Sequence, residues 1–490
     1  MERLSLTTLP ERSERISVPG VDPRTLSIGL VHLGIGAFHR AHQAVYTEGA
    51  YAATGDDRWG TFAVTGRSAA VVEQLAPQDC LYGVLTKSAE RSSLQVVGAV
   101  RGIVSGGAAP RTALDAIASS GAQVVTLTVT EKGYPRTPSG GLALGTDAVT
   151  ADLALVESAL AGHDTANRAG TAVGLLAAGL ATRFAGSAAP ISVVSCDNLP
   201  GNGAQLGRLV HELADATGAG EFVAWLQDRV AFPSTMVDRI VPATTDADRA
   251  EAADLLQLYD AGLVVAEPFG QWVIEDRFTA DRPAWERAGV VFTADVAPYE
   301  KAKLRLLNGT HSLLAYLGAL DGYATIAEAL ADDRLLDAAR GLQREDAIPT
   351  LEAPPALDLE EYGEQILRRF ANPHLRHTTI QVAADGSQKL PIRILETARG
   401  RLRAGAMPQY CALAVAAWMV YVRRGQDGGG RDLPLNDPLA GLLRERAAGS
   451  DVGLVDRMLA IREVFDEEIA GHDAFRSAVR SAVKSLMSFG

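Results

Sequence analysis

Residues Leu26 to Leu33, LSIGLVHL, form a short apolar run that ends directly in Gly34-Ile35-Gly36. Few folds accommodate that pairing. An apolar run of this length, without polar alternation, suits a strand buried on both faces, as in a parallel sheet. Glycines at its end permit a tight turn into a helix. Comparable runs recur at Trp59 to Gly66 (WGTFAVTG), Gln123 to Val129 (QVVTLTV) and Ile191 to Ser195, and Arg168 to Arg183 reads as a helix. The pattern predicts an α/β fold with a parallel sheet in the N-terminal half.

In such a strand–turn–helix unit, glycines let the backbone approach a pyrophosphate at a helix N-terminus. Gly34, Gly36, Ala37 and Phe38 are therefore the expected dinucleotide contacts. His39 stands where a third glycine would complete the motif, so on the residues alone a plain strand–turn–helix fits equally well. The tip after the second strand, Gly66-Arg67-Ser68, carries no acidic residue to accept from ribose hydroxyls. Arg67 and Ser68 would suit a 2′-phosphate, or Arg67 would lie over the adenine or face water. The cofactor expectation is NAD or NADP, with a lean toward NADP or dual use.

A chain of 490 residues is long for one core, so two domains are expected. The stretch Asp281 to Ala297 shows no strong period, which puts the boundary near 289: a Rossmann-type domain over 1–289 and a mainly helical domain over 290–490. The predicted C-terminal helices are Pro298–Gly318, Ile326–Leu335, Glu361–Phe370, Gln409–Arg424, Leu439–Arg446 and Leu454–Val464. The first of them, PYEKAKLRLLNGTHSLLAYLG, embeds Lys303, Asn308 and His311 among leucines. With about 100° per residue these three fall at roughly 0°, 140° and 80° around the axis, so they fan toward one cavity. A buried-facing lysine is costly unless paired or functional, and desolvation favours its neutral form, which makes it a candidate general base. The plain alternative is an amphipathic helix with a snorkelling lysine.

Composition removes several classes. A formal net charge of −13 argues against a nucleic-acid footprint or an anionic membrane surface. The three cysteines, Cys80, Cys196 and Cys411, are widely spaced and suggest neither a disulfide framework nor a zinc cluster. No metal is expected. The N-terminus lacks an apolar signal core, and the Ala-rich run Thr171 to Phe184 is too short to span a bilayer, so a cytoplasmic protein is expected.

Several stretches share a further resemblance. Lys303-x4-Asn308-x2-His311, HLGIGAFHRAHQA, TEKGY, SCDNLPGNG, FPSTMVDRIVPAT, EPFGQW and DGSQKLPIR together resemble the long-chain mannitol dehydrogenase family, which includes mannitol 2-dehydrogenases, arabinitol dehydrogenases and fructuronate and tagaturonate reductases. The resemblance runs through most of the chain. It implies that Lys303 is the catalytic base, that Asn198 and Asn308 form an oxyanion site, that His311 positions substrate and that Glu131 passes protons to solvent. It also implies substrate contacts from Asp238, Glu300, Lys389 and Arg393. On the residues alone, Glu131 also reads as a loop carboxylate and Asn198 as a turn amide. Asp238 reads equally as an ion-pair partner of Arg239, Glu300 as a first-turn carboxylate, and Lys389 with Arg393 as a solvated basic loop. Asp197 reads as a brace for its loop, and EPFGQW as domain-bridging with a substrate or packing role.

The implied activity is NAD(P)-dependent, metal-independent and reversible hydride transfer at C2 of a linear sugar. It is most like a fructuronate reductase, favoured by DGSQKLPIR, or a mannitol 2-dehydrogenase. An arabinitol-type dehydrogenase and a non-catalytic nucleotide-binding sensor are the rival readings. The expected partner is a sugar alcohol, ketose or uronate, with no nucleic acid or membrane, and the chain is expected to be a monomer or weak homo-oligomer.

Overall fold

The computed structural model describes residues 1–66, 68–163, 168–355 and 357–488. The chain divides into two units, Met1–Ala297 and Pro298–Gly490.

The first unit is built on a six-stranded sheet. Its strands are β1 (Ile28–Leu33), β2 (Gly60–Thr65), β3 (Val100–Ser105), β4 (Val124–Leu127), β5 (Ile191–Ser195) and β6 (Val230–Ala231). They lie in the order β3-β2-β1-β4-β5-β6, and every pairing is parallel. The chain thus reverses its winding at β1, which creates a crevice at the carboxyl ends of the strands. Register brings those ends level: Leu33 pairs with Val64 and Leu127, and Leu127 with Ser195. Alternate residues serve opposite faces. Val31, Leu33, Val125, Leu127 and Val193 join one apolar cluster, while Leu30, Val124 and Val194 join Trp59, Trp272 and Trp285 in another. Burial on both faces is why these strands read as unbroken apolar runs.

The helix expected from Arg168 starts later, at α3 (Ala172–Ala185), after α1 (Ala37–Ala41) and α2 (Gln43–Thr54). Thr171 is its N-cap and accepts from the Gly174 N–H at 2.9 Å, so Arg168 to Gly170 remain loop. Arg183 in α3 is fully buried without a carboxylate partner among the described residues. Its guanidinium donates to five carbonyl oxygens, of Ala189, Ile117, Ser119, Ala122 and Pro190. A smaller sheet of β7 (Thr235–Asp238), β8 (Gln271–Glu275) and β9 (Val291–Thr293) packs Trp272 into the core, which gives EPFGQW a packing role within this unit.

Every element named among the described residues of the second unit is a helix, and loops join them. The single helix expected over Pro298–Gly318 is three pieces: an α-helix Ala297–Ala302, a π segment Lys303–Asn308, and α5 (Gly309–Leu320), numbered after α4 (Asn202–Ala216) of the first unit. Gly318 does not end it. It lies inside α5, where a Cβ would come within 2.7 Å of the Ala329 side chain, and Asp321 is the cap. The helix expected over Ile326–Leu335 breaks at Asp332, whose side chain caps a second helix, Asp333–Gly341. Gln409–Arg424, expected with those bounds, is α6 and packs along α7 (Asp473–Ser488). The DGSQKLPIR loop is instead a short helix, Gly386–Leu390, that runs into a π segment, Pro391–Leu395, and another short helix, Thr379–Ala383, precedes it. A third π segment covers Leu342–Ala347, and both it and Pro391–Leu395 pack on Lys303–Asn308. All three cysteines are buried.

Candidate functional site

In the first unit the candidate residues gather on the loops that leave the level carboxyl ends of the sheet. Gly34 adopts φ +96°, and a Cβ there would stand 2.3 Å from the Thr128 carbonyl oxygen, so only glycine fits. Gly36 is exposed and its nearest neighbour to a built Cβ is 3.9 Å away, which leaves open space over the turn. Ala37 is exposed beside it, and the half-buried Phe38 stacks on His42 at 4.9 Å.

The absent third glycine has a physical reason. That glycine lets a long helix pass close to its strand, but α1 ends after five residues and the backbone turns at His42 (φ −126°, ψ −87°). His39 therefore has room to stack on His32, with ring centroids 3.4 Å apart. His32 meets Thr126 Oγ1 through Nδ1 at 2.7 Å and Thr128 Oγ1 through Nε2 at 3.0 Å. Thr128 spends its own proton on the Gly34 carbonyl at 2.8 Å, so Nε2 of His32 is the donor in that pair. Burial pulls His32 down to about 3 and keeps the ring neutral. A buried polar chain thus steadies the glycine turn from beneath.

A pocket opens beside the turn, lined at its base by Leu33, Gly34, Val64, Thr65, Gly66, Gly106 and Gly107. Its other wall is Val129 with Arg168 to Ala172 and Leu175. Apolar walls, glycines that admit close backbone approach and the flanking cation Arg168 suit a dinucleotide's adenosine half. The Arg168–Thr171 wall was not read from the sequence as part of a site. Asp152 fixes it, accepting from the Gly170 N–H at 2.7 Å and the Thr171 hydroxyl at 2.6 Å. The usable signal was Thr171 itself, a helix cap before an alanine-rich run. Ser68 turns its hydroxyl to accept from the Ala70 N–H at 3.2 Å and does not line the pocket; Arg67 lies outside the described residues.

Glu131 and Asn198 leave the ends of the adjacent strands β4 and β5, and both are exposed. Asp238 is buried at the end of β7. Arg239 donates to the carbonyl oxygens of Glu267, at 3.1 and 2.9 Å, and of Ala41, so it fastens backbone to backbone. Glu267 accepts from the Ile240 N–H at 2.7 Å. Cys196 is buried.

In the second unit the π segment alters the geometry read from the sequence. An α-helix would separate Lys303 and Asn308 by about 140°. Here the hydrogen bonds close one residue further back, as in Gly309 N–H to the Leu304 carbonyl, and residues five apart stack on one face. Lys303 and Asn308 are 8% and 7% exposed. Asn308 Nδ2 and His311 Nε2 are buried polar atoms with no hydrogen-bond partner among the described residues. Glu300 lies half-buried one turn before Lys303.

The His311 ring stacks on Phe370 at 4.6 Å and on His377 at 5.4 Å. Burial, and then the positive fields of His377, Arg393, Lys389 and Arg369, hold His311 well below its usual range, so it stays neutral. Arg369 is 7% exposed and was missed in the sequence. Lys389 Nζ donates to the Val382 carbonyl at 3.4 Å, and Arg393 Nη1 to Ser312 Oγ at 3.3 Å. Gly309 admits this approach, since a Cβ would stand 3.0 Å from the Arg393 carbonyl. Lys389, Arg393 and Arg369 thus bring positive charge near His311, the kind of charge that a bound anion meets.

Comparison with known proteins agrees with both halves. The profile of the mannitol dehydrogenase Rossmann domain matches residues 28–287, and that of the mannitol dehydrogenase C-terminal domain matches residues 295–487. D-mannonate oxidoreductase of Escherichia coli (strain K12) is 38% identical over 501 residues, covering 99% of this chain and 98% of the relative. Mannitol 2-dehydrogenase of Cereibacter sphaeroides is 35% identical over 477 residues, covering 97% of each. The structure of Pseudomonas fluorescens mannitol 2-dehydrogenase, a ternary complex with NAD and D-mannitol, superimposes with a TM-score of 0.84 at 33% identity, over 100% of this chain and 98% of that one.

Proposed function

The chain is a member of the mannitol dehydrogenase family, an oxidoreductase family, and from that premise we propose that it moves a hydride reversibly between a nicotinamide dinucleotide and C2 of a linear sugar acid. When bound, the dinucleotide supplies the hydride chemistry. The glycine turn and the pocket beside it would hold that cofactor, NAD in the first instance. The tip at Gly66 carries no acidic residue to exclude a 2′-phosphate, and Arg168 on the opposite wall would favour one, so NADP is accepted too.

In oxidation, Lys303 Nζ takes the proton of the C2 hydroxyl as the hydride departs; in reduction it returns that proton to the carbonyl oxygen. Asn308 Nδ2 and the Asn198 amide donate to the oxygen while it carries negative charge. His311 Nε2 positions a neighbouring hydroxyl, and Glu131, exposed at its strand end, exchanges the proton with water. Asp238 and Glu300 hold further hydroxyls. This scheme needs the nicotinamide and the Lys303 segment to meet around one sugar.

The observation that carries the reading is the π segment Lys303–Asn308, together with the buried Asn308 Nδ2 and His311 Nε2, which have no hydrogen-bond partner among the described residues. For a uronate substrate, Lys389 and Arg393, whose positive charge is felt at His311, would meet the carboxylate. A polyol substrate is the second reading, favoured by the likeness to an enzyme crystallised with D-mannitol. The test is oxidation of NADH and NADPH against fructuronate, tagaturonate, fructose and xylulose. Fructuronate or tagaturonate is expected to be the best substrate, with activity collapsing in Lys389→Ala; preference for fructose, unmoved by Lys389→Ala, would select the polyol reading. Lys303→Ala is expected to lower kcat by about 10²–10⁴-fold, as loss of a general base does. Nucleotide binding should persist in that variant, and near-normal turnover would remove Lys303 from the mechanism.

A further inference from the structure

The turn that presents Glu131 is held in a backbone conformation it would not choose. Thr130, the residue before it, sits at φ +65°, ψ +165°. That region is essentially reserved for glycine, and a β-branched residue persists there only when its surroundings over-determine it. One side chain holds the turn at both ends. Asp197 Oδ1 accepts the Thr130 N–H at 2.7 Å, and Asp197 Oδ2 accepts the Tyr134 hydroxyl at 2.7 Å. One carboxylate therefore grips both ends of the Thr130–Tyr134 turn. Within the turn, the Gly133 N–H closes on the Thr130 carbonyl at 2.9 Å.

Asp197 is itself over-constrained. It is 5% exposed. The Tyr134 hydroxyl also meets Ser195 Oγ at 2.7 Å. Asn202 at the start of α4 donates through Nδ2 to the Asp197 carbonyl at 2.9 Å and to the Thr235 carbonyl at 3.0 Å. These bonds join the ends of β4 and β5 to the start of β7. Asp197 also precedes Asn198 directly, so the same residue sets where both Glu131 and Asn198 stand.

We propose that Asp197 is a positioning residue: its carboxylate holds Thr130 in the left-handed half of backbone space and so fixes Glu131 relative to Asn198. The proposal rests on the reading of Glu131 and Asn198 as site residues. It goes beyond that reading by assigning their relative placement to a side chain that touches no substrate. Such a clamp is useful because a misplacement of about 1 Å at a site can cost roughly 100-fold in rate.

The test is a double-mutant cycle of Asp197→Ala with Thr130→Gly, read as kcat and as the nucleotide dissociation constant by fluorescence titration. In the native background Asp197→Ala is expected to lower kcat by about ten-fold or more while nucleotide affinity stays within about two-fold, since the glycine turn is untouched. In the Thr130→Gly background the same substitution is expected to lower kcat by less than about three-fold, because glycine keeps the positive φ without help. A purely structural loss would be equal in both backgrounds, and that result would overturn the proposal. Loss of nucleotide affinity in step with kcat would overturn it too. Should the alanine variant fail to fold, Asp197→Ser carries the same comparison, since its oxygen stands one bond short of the one that meets the Thr130 N–H. Glu131→Gln and Asn198→Ala are measured alongside. If neither lowers kcat, the site reading fails and takes the inference with it; if both do and the cycle shows no coupling, only the inference fails.

Discussion

Glu48 shows what a single buried carboxyl does to this molecule. It is 3% exposed, accepts from the Tyr51 hydroxyl and from the Gly98 N–H at 2.8 Å, and is pushed by burial from near 4.5 up to about 7. In the unfolded chain it ionises at its ordinary value. Between pH 4.5 and 7 the folded state therefore holds the extra proton, and raising the pH favours unfolding. Glu48→Gln removes that dependence, leaving the histidine and aspartate contributions common to both proteins. Urea unfolding from pH 4 to 8 should show a constant difference between variant and parent below 4.5. The difference should shift in favour of the variant by about 2–3 kcal/mol up to pH 7 and then level off. Parallel curves would show that Glu48 ionises normally in the fold. Neither Glu48 nor Arg183 was legible in the sequence as a buried group, and Asp197 was read only as a loop brace. Their partners lie up to 67 positions away, as for Thr130 and Asp197, and no local spacing encodes such a contact.

The elements divide along the same line. β1, β2, β4 and β5 were readable because a strand buried on both faces writes its burial as a continuous apolar run. Ile191–Ser195 and Gln409–Arg424 appear with the bounds expected of them. The π segments were not readable. Nothing in KLRLLN distinguishes a bond closing five residues back from one closing four; the choice is made by packing against Leu342–Ala347 and Pro391–Leu395. Because a π turn accommodates an extra residue, deleting the half-buried Leu304 should let the stretch relax to an α-helix. Asn308 and His311 would then rotate away from Lys303. The expected outcome is an unchanged far-ultraviolet dichroism spectrum, retained nucleotide binding and a fall in kcat of about 100-fold or more. Activity within about three-fold of the parent would show that the π geometry is dispensable.

At the scale of the whole chain, a net charge of −13 coexists with a local gathering of cations around His311, so bulk charge did not forecast the character of the site. No helix among the described residues is long and apolar enough to cross a membrane. The pocket at the glycine turn belongs wholly to Met1–Ala297. Nucleotide at about 100 times its Kd should stabilise that unit by about 2.7 kcal/mol. Calorimetry should show the shift equally in the parent and in Lys303→Ala. A shift lost with Lys303 would mean that nucleotide binding depends on the second unit.

The three thiols offer a way to watch each unit alone. Cys80 and Cys196 are shut inside Met1–Ala297 and Cys411 inside the remainder, and burial pushes all three toward the unreactive protonated form. A maleimide added to the native protein meets nothing until a unit breathes open. The order in which those sulfurs become alkylated then clocks which half of the chain lets go first, with no engineered label required.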